Sequence, residues 1–272
     1  MTEVNLDFSQ VHFTYPDSEW SLDIPSLSLG KERLTCLVGP NGSGKSTIIR
    51  LAAGILSPGN GSVQLNHVPL AHRPRRELAQ TIGYLPQESP SLYDYTVDMV
   101  ARMGRYIHTG WTGAMTPRDE QSVECALRCV DLENKRHRPL GRLSGGERRR
   151  ALIASVLAQQ PRFLLLDEPT ASLDVHHAAS VMRLLSNLAP SCPQVVLVTH
   201  DINLAALFAQ RMILLVDGKI VVDGTPHEVM QPSWMTAAYG PDVLVRSHPE
   251  LDIPMLLPSR VCGSPQGESG HA

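Results

Sequence analysis

Gly39-Pro40-Asn41-Gly42-Ser43-Gly44-Lys45-Ser46-Thr47 follows the apolar run Leu34-Thr35-Cys36-Leu37-Val38 and precedes the helix-compatible segment from Ile48 to Ala53. The order reads as strand, loop, helix. A phosphate cradle needs a buried strand to aim it and a helix N-terminus to complete it, and both flanks set this segment apart from an ordinary glycine-rich turn. Glycines at 39, 42 and 44 allow the backbone to curl its N–H groups around an anion that side chains would crowd. Lys45 then reaches the terminal phosphates, and the Ser46 hydroxyl is available as a Mg2+ ligand. Taken alone, the loop supports nucleotide binding, which many folds with many functions share.

The rest of the chain supplies candidates to act with it. Phe163-Leu164-Leu165-Leu166-Asp167-Glu168 is a continuous apolar run ending in two carboxylates, as a central parallel strand ends at its functional edge. Beside a phosphate loop, Asp167 is the candidate to hold Mg2+ through water, and Glu168 the candidate to polarise the attacking water. An ordinary strand-to-turn junction tolerates the same residues, so the pair takes its weight from the loop upstream. Another buried run, Gln194 to Thr199, delivers His200 at its end. Ile82-Gly83-Tyr84-Leu85 stops at Pro86-Gln87, where the glutamine fits a solvated loop residue or a neutral metal and water ligand on a hinge. Apolar alternation from Val4 to Tyr15 reads as half-buried strands, and Tyr15 fits either a last core aromatic or a stacking platform for a base.

From about Glu88 to Arg142 helical periodicity takes over, with Thr116 as an N-cap before Pro117 and Asp119. This reads as a helical subdomain inserted into the α/β chain, facing a partner or simply packing. It ends in Leu143-Ser144-Gly145-Gly146-Glu147, ahead of a helix running to Gln159. Ser144 and Glu147 make a capping box. Capping does not need Gly145 and Gly146, which weaken a first turn by up to ~1 kcal/mol each relative to alanine. Close approach of an anion to the N–H groups explains them better, so the stretch reads as a second phosphate site. Arg148-Arg149-Arg150 reads as helix surface. Asp174 closes the turn before a helix through Leu188, on which His176 and His177 lack metal-ligand companions. Met212 to Val222, turning at Asp217-Gly218-Lys219, reads as a hairpin, and Thr225 caps a short helix.

With 272 residues and a net charge of -3, the chain fits one large α/β domain with a subdomain, and nothing argues for a nucleic-acid surface. Its apolar runs fall far short of the ~20 residues of a membrane helix. The N-terminus lacks the basic and apolar regions of a signal peptide, which points to the cytosol. Five cysteines without a C-x-x-C argue against disulfide and zinc frameworks, and Cys125 and Cys129 read as incidental helix residues.

The ordered set Gly39 to Thr47, Gln87, Leu143 to Glu147, Phe163 to Glu168, Ser172 to Asp174 and His200 resembles the nucleotide-binding subunit of an ABC transporter over roughly residues 1 to 230. The resemblance implies an α/β P-loop NTPase core with a mainly parallel sheet, an N-terminal antiparallel β subdomain and an inserted helical subdomain. It implies ATP and Mg2+, and a two-subunit sandwich in which Leu143 to Glu147 of one copy close over the γ-phosphate held by the other copy's P-loop. It makes Tyr15 the adenine-stacking residue, Gln87 the link from Mg2+ and water to a membrane partner, and His200 the γ-phosphate switch. Asp174 lies in the loop crossing the dimer interface. One departure is Glu147, where glutamine is commoner; Ser144, Gly145 and Gly146 are expected to keep the site active.

Gly83 to Gln87, Gly104 to Trp111, and the ending Gly224-Thr225-Pro226 through His248-Pro249 are similar to import ATPases for iron-siderophore, haem and vitamin B12 chelates. The partners this implies are a second identical ATPase subunit, transmembrane permease subunits and an external substrate-binding protein, and the place it implies for this chain is the cytoplasmic face of the membrane, peripheral through the permease. The competing expectation is a soluble ABC ATPase acting on nucleic acid or ribosomes; tandem cassettes, heptad arms or zinc cysteines would mark it, and the sequence shows none. The expected boundaries are an ATPase domain over 1–240 with its helical insertion at about 88–160, a C-terminal extension over 241–258, and a disordered tail over 259–272.

Overall fold

The computed structural model describes residues 4–30, 32–88, 92–109, 113–188 and 193–259. The tail, except Ser259, and Trp111 lie outside the described residues. The N-terminal alternation forms one strand, β1 (Leu6–Thr14), paired antiparallel with β2 (Ser21–Leu29). The apolar phase slips between Phe8 and Val11 because Gln10 has φ +48 and makes a bulge. Across from it, the β1–β2 register skips Pro25, which has no N–H to give the ladder. That proline inside Ser21–Leu29 hides the strand from a reading of periodicity.

Strand β3 (Leu34–Val38) is buried throughout and leads into the phosphate loop and α1 (Lys45–Ala52). Next come β4 (Asn60–Leu65), β5 (Val68–Pro69), α2 (Arg75–Thr81) and β6 (Ile82–Leu85). The helical stretch holds α3 (Val97–Met103), α4 (Pro117–Cys129) and α5 (Gly145–Ala158). Thr116 and Asp119 form the capping box of α4, while Asp119 also takes the fork of Arg105 at 2.7 and 2.9 Å. Both side chains are almost fully buried, so each charge depends on the other.

The chain returns to the sheet with β7 (Phe163–Asp167), α6 (Val175–Ser186), β8 (Gln194–Val198), α7 (Ile202–Phe208), β9 (Arg211–Val216) and β10 (Lys219–Gly224). It finishes with α8 (Pro226–Val229), α9 (Pro232–Tyr239), β11 (Val243–Ser247) and β12 (Pro254–Pro258). The last two strands pair as a separate hairpin, tied to α7 by Asn203, which donates to the Leu256 carbonyl and accepts from the Leu256 N–H.

Among the described residues, ten strands form one sheet in the order β5-β4-β1-β2-β10-β9-β3-β8-β7-β6. The half from β9 to β6 is parallel, and the N-terminal strands are antiparallel. Only Lys219 and Asp23 pair across the seam between β10 and β2. Strand β7 shows why the parallel half reads as unbroken apolar sequence: Leu164 and Leu166 face a core shared with α3, α4 and α5, and Phe163 and Leu165 face one shared with α1 and β1. The central parallel strands β3, β7 and β8 are covered on both sides, and the ends of β3, β6, β7 and β8 lie along one edge. Among the described residues no helix is long and apolar enough to cross a membrane.

Candidate functional site

The phosphate loop leaves β3 at Gly39, whose φ of +144 and close neighbour require glycine: a Cβ there would lie 2.0 Å from the Leu215 carbonyl oxygen. Gly42, by contrast, faces open space. The ligand-crowding argument therefore fits Gly42, and packing within the chain fixes Gly39. Lys45 is 5 % exposed and donates to the Gly39 carbonyl at 2.9 Å and the Pro40 carbonyl at 2.7 Å. Burial lowers its pKa, with Glu168 and Asp167 opposing. The loop's own carbonyls thus hold the ammonium across its mouth.

Ser46 donates to Oδ1 of Asp167 at 2.8 Å. Asp167 is fully buried, burial raises its pKa, and its Oδ2 has no hydrogen-bond partner among the described residues. A buried carboxylate oxygen left bare beside a hydroxyl is an arrangement that a hard, oxygen-seeking cation fits. Glu168 follows with φ +46, a left-handed backbone unusual for a residue with a side chain. Its Oε2 accepts from Gln87 Nε2 at 2.9 Å and stands 3.5 Å from His200 Nδ1. Residues expected from three separate strand ends therefore meet at one carboxylate.

A cavity of about 410 Å3 opens over the loop, floored by Gly42, Gly44, Lys45 and Thr47 and walled by Tyr15, Trp20 and Glu168. The placement of Tyr15 is compatible with both readings left open for it. It packs edge-on against Phe13 at 4.8 Å, donates to or accepts from Thr47 Oγ1 at 3.1 Å, and still borders the cavity. Trp20, 6.1 Å from Tyr15, was not expected; its position at the head of the hidden strand β2 explains why. Its indole N–H is buried without an acceptor among the described residues.

Ser144 caps α5: its hydroxyl accepts from the Glu147 N–H at 3.2 Å, and Glu147 accepts from the Ser144 N–H at 3.0 Å. The Lys135 ammonium and the Ser144 N–H hold the Glu147 carboxyl below its usual pKa. None of Ser144, Gly145, Gly146 or Glu147 lines the loop cavity; Gly145 borders a separate one of about 420 Å3 with Gln87 and Leu173. Gly146 has a reason within the chain itself, since a Cβ there would lie 2.3 Å from His177 Cδ2. Gly145 meets only Leu173, at 3.4 Å. Packing thus requires glycine at 146 whatever else it does, and supplies no comparable reason at 145.

Two expectations need correction. His176 and His177 do have a companion: Asp174, the N-cap of α6, whose carboxylate lies 2.8 Å from His177 Nδ1, and the three side chains could offer ligand atoms within 4.8 Å of one another. Spacing on a helix omits the cap residue, because the cap's side chain folds back over the first turn. Arg149 is not helix surface either. It points inward and donates to main-chain carbonyls at the ends of β6 and β7, while Arg148 stacks 4.8 Å over Tyr93.

The ABC transporter family model matches residues 22–171. The hemin import ATP-binding protein of Gloeobacter violaceus is 40 % identical over 246 residues, covering 88 % of this chain and 89 % of that protein. The petrobactin import ATP-binding protein of Bacillus anthracis is 38 % identical, covering 83 % of this chain and 82 % of its own. A solved metal-chelate type ABC transporter in an inward-facing conformation superposes with a TM-score of 0.80 at 27 % identity, over 94 % of this chain and 97 % of that one. The chain belongs to the ABC transporter family, as an ATP-binding and ATP-hydrolysing subunit.

Proposed function

We propose that two copies of this chain form an ATP sandwich that powers a membrane importer for a metal chelate of the iron-siderophore, haem or cobalamin kind. The observation that carries the mechanism is the meeting of Gln87 and His200 at the Glu168 carboxylate, beside the Ser46–Asp167 pair. Glu168 is the general base for the attacking water, with Gln87 and His200 orienting that water and the γ-phosphate. Lys45 leaves the loop carbonyls for the β- and γ-phosphate oxygens, and Gly39 to Thr47 supply N–H groups around them. Tyr15 stacks on the adenine. Ser46 and Asp167, with the Gln87 amide, would hold Mg2+, which supplies positive charge against the phosphates.

The Ser144 hydroxyl and the Gly145 and Gly146 N–H groups serve a phosphate held by the partner copy, Glu147 holding that turn through the capping box, and Asp174 lies at that interface. ATP contributes contacts to both faces, so it favours closure, and hydrolysis withdraws them. Motion passes through Gln87 and the helical subdomain to permease subunits, and an external binding protein supplies the cargo. This assigns the chain to the cytoplasmic face of the membrane, peripheral through its permease. The import names of the relatives support this reading over a soluble ATPase acting on nucleic acid or ribosomes.

The test is Glu168→Gln. ATP binding is expected to stay intact while phosphate release falls roughly 100- to 10,000-fold, the contribution of a positioned base. Wild-type-like phosphate release by that variant would remove Glu168 from the role.

A further inference from the structure

Arg149 sits in the second turn of α5, the helix that begins at Ser144. Its Nε donates to the carbonyl of Pro169 at 3.0 Å, Nη1 to those of Pro86 and Gln87 at 3.3 and 3.4 Å, and Nη2 to those of Asp167 and Glu168 at 3.1 and 3.3 Å. A guanidinium carries five N–H groups in a rigid fork, and here five carbonyls take them all. Burial lowers its pKa to about 10, with Asp167 opposing, so it stays charged at neutral pH.

These carbonyls lie at and just beyond the ends of two neighbouring parallel strands, β6 and β7. Just past the pairing, the Gln87 and Glu168 side chains touch at 2.9 Å. Glu168 has φ +46, and such a conformation persists in a residue with a side chain only when its surroundings over-determine it. Arg149 grips the carbonyl on each side of the Glu168 Cα. Lysine, a point charge with three rotating donors, cannot span the same set.

We propose that Arg149 is a positioning residue for ATP hydrolysis: through five main-chain carbonyls it fixes Glu168 against Gln87 and ties both to the helix that begins at Ser144. It touches no substrate. A shift of α5 when Ser144 engages the partner's phosphate is thereby carried to the carboxylate that acts on water. The proposal rests on the reading of Glu168 as the general base.

The test compares Arg149→Lys and Arg149→Gln in the full-length chain, with Glu168→Gln alongside. Steady-state ATPase kinetics, binding of a fluorescent ATP analogue and thermal unfolding are measured for each. A catalytic group misplaced by about 1 Å loses on the order of 100-fold in rate, so kcat is expected to fall toward that extent in Arg149→Gln and less in Arg149→Lys. KM and analogue affinity are expected to stay within about threefold, the split expected when only transition-state interactions are lost. Adding Arg149→Gln to Glu168→Gln should slow turnover no further. A kcat within twofold of wild type in both variants, or a lowered Tm with kcat and KM unchanged, would overturn the proposal. If Glu168→Gln turns over normally, the base assignment fails instead, whatever the arginine variants do.

Discussion

Gly145→Ala and Gly146→Ala separate two reasons for having glycine at the head of α5. At position 146 the new Cβ would lie 2.3, 2.8 and 2.9 Å from Cδ2, Cγ and Cβ of His177. The imidazole must swing away and give up its contacts with Asp174, and overpacking of this kind costs about 1–3 kcal/mol. For a chain of this size that lowers Tm by about 2–4 °C per kcal/mol. At position 145 the Cβ meets Leu173 at an ordinary 3.4 Å, and alanine gains up to ~1 kcal/mol of helix propensity, less in a first turn. Gly145→Ala should therefore hold or raise Tm. If a partner's phosphate closes on these N–H groups, it should still slow ATP hydrolysis. His177→Ala added to Gly146→Ala removes the ring contacts at 2.3 and 2.8 Å and leaves only the Cβ contact at 2.9 Å, so it should recover much of the lost Tm without restoring turnover, with His177→Ala alone as the control of the cycle. Wild-type turnover by Gly145→Ala, together with full recovery of turnover in the double variant, would refute the second phosphate site.

Two further outcomes follow from the same geometry. Tyr15→Phe keeps the ring and loses the hydroxyl's contacts with Thr47 and Arg50, whereas Tyr15→Ala should weaken nucleotide binding by the ~1–3 kcal/mol of a base–aromatic stack; equal affinities by fluorescent-nucleotide titration would return Tyr15 to the core. Acid should loosen the helical stretch before the parallel sheet. Burial raises the Asp98 pKa, but bonds from Arg102 and Arg136 outweigh it; Thr116 and Arg105 lower Asp119; Lys135 and Ser144 lower Glu147. Folded pKa values below the unfolded ones, near 4 for carboxyls, contribute stability above that range that is lost as pH falls through the folded values. Hydrogen exchange, normalised for intrinsic rates, should rise first in α3, α4 and α5 below about pH 4; a simultaneous rise in β7 and β8 would show the pairs to be unimportant.

What could be read from the sequence was what has a local signature. Strands β3, β7 and β8 are buried on both faces, so they appear as apolar runs, and the caps at Thr116, Ser144 and Thr225 are set by side chains three residues apart. What escaped was non-local or masked by a local exception. Pro25 breaks the pattern of β2, but the bulge at Gln10 opposite makes it tolerable, and Trp20 was lost along with that strand. Arg149 lies between two arginines that look the same in sequence; only the crossing of α5 over the ends of β6 and β7 tells it apart. The packing reason for Gly146 is hidden because its neighbour His177 is 31 positions away, and that reason stands beside the proposed phosphate contact.

The resting arrangement fits the proposal that nucleotide and partner act together. Lys45 is not waiting as a bare charge: two loop carbonyls at 2.7 and 2.9 Å satisfy it, and a phosphate must replace them. Asp167, in contrast, keeps one buried oxygen without a hydrogen-bond partner among the described residues, an unmet acceptor on the ATP side of the site. Ligand binding there relieves an existing deficit, while engagement of Lys45 exchanges one set of acceptors for another of higher charge. Neither step involves Ser144 to Glu147, none of which lines the same cavity. The chain thus gains from holding nucleotide at its own loop; in the proposed sandwich the Gly145 and Gly146 N–H groups meet a phosphate on the partner's loop, while those of Ser144 and Glu147 are already taken by the capping box. Coupling between those two events requires a path from α5 to Glu168, and the Arg149 fork is the direct one.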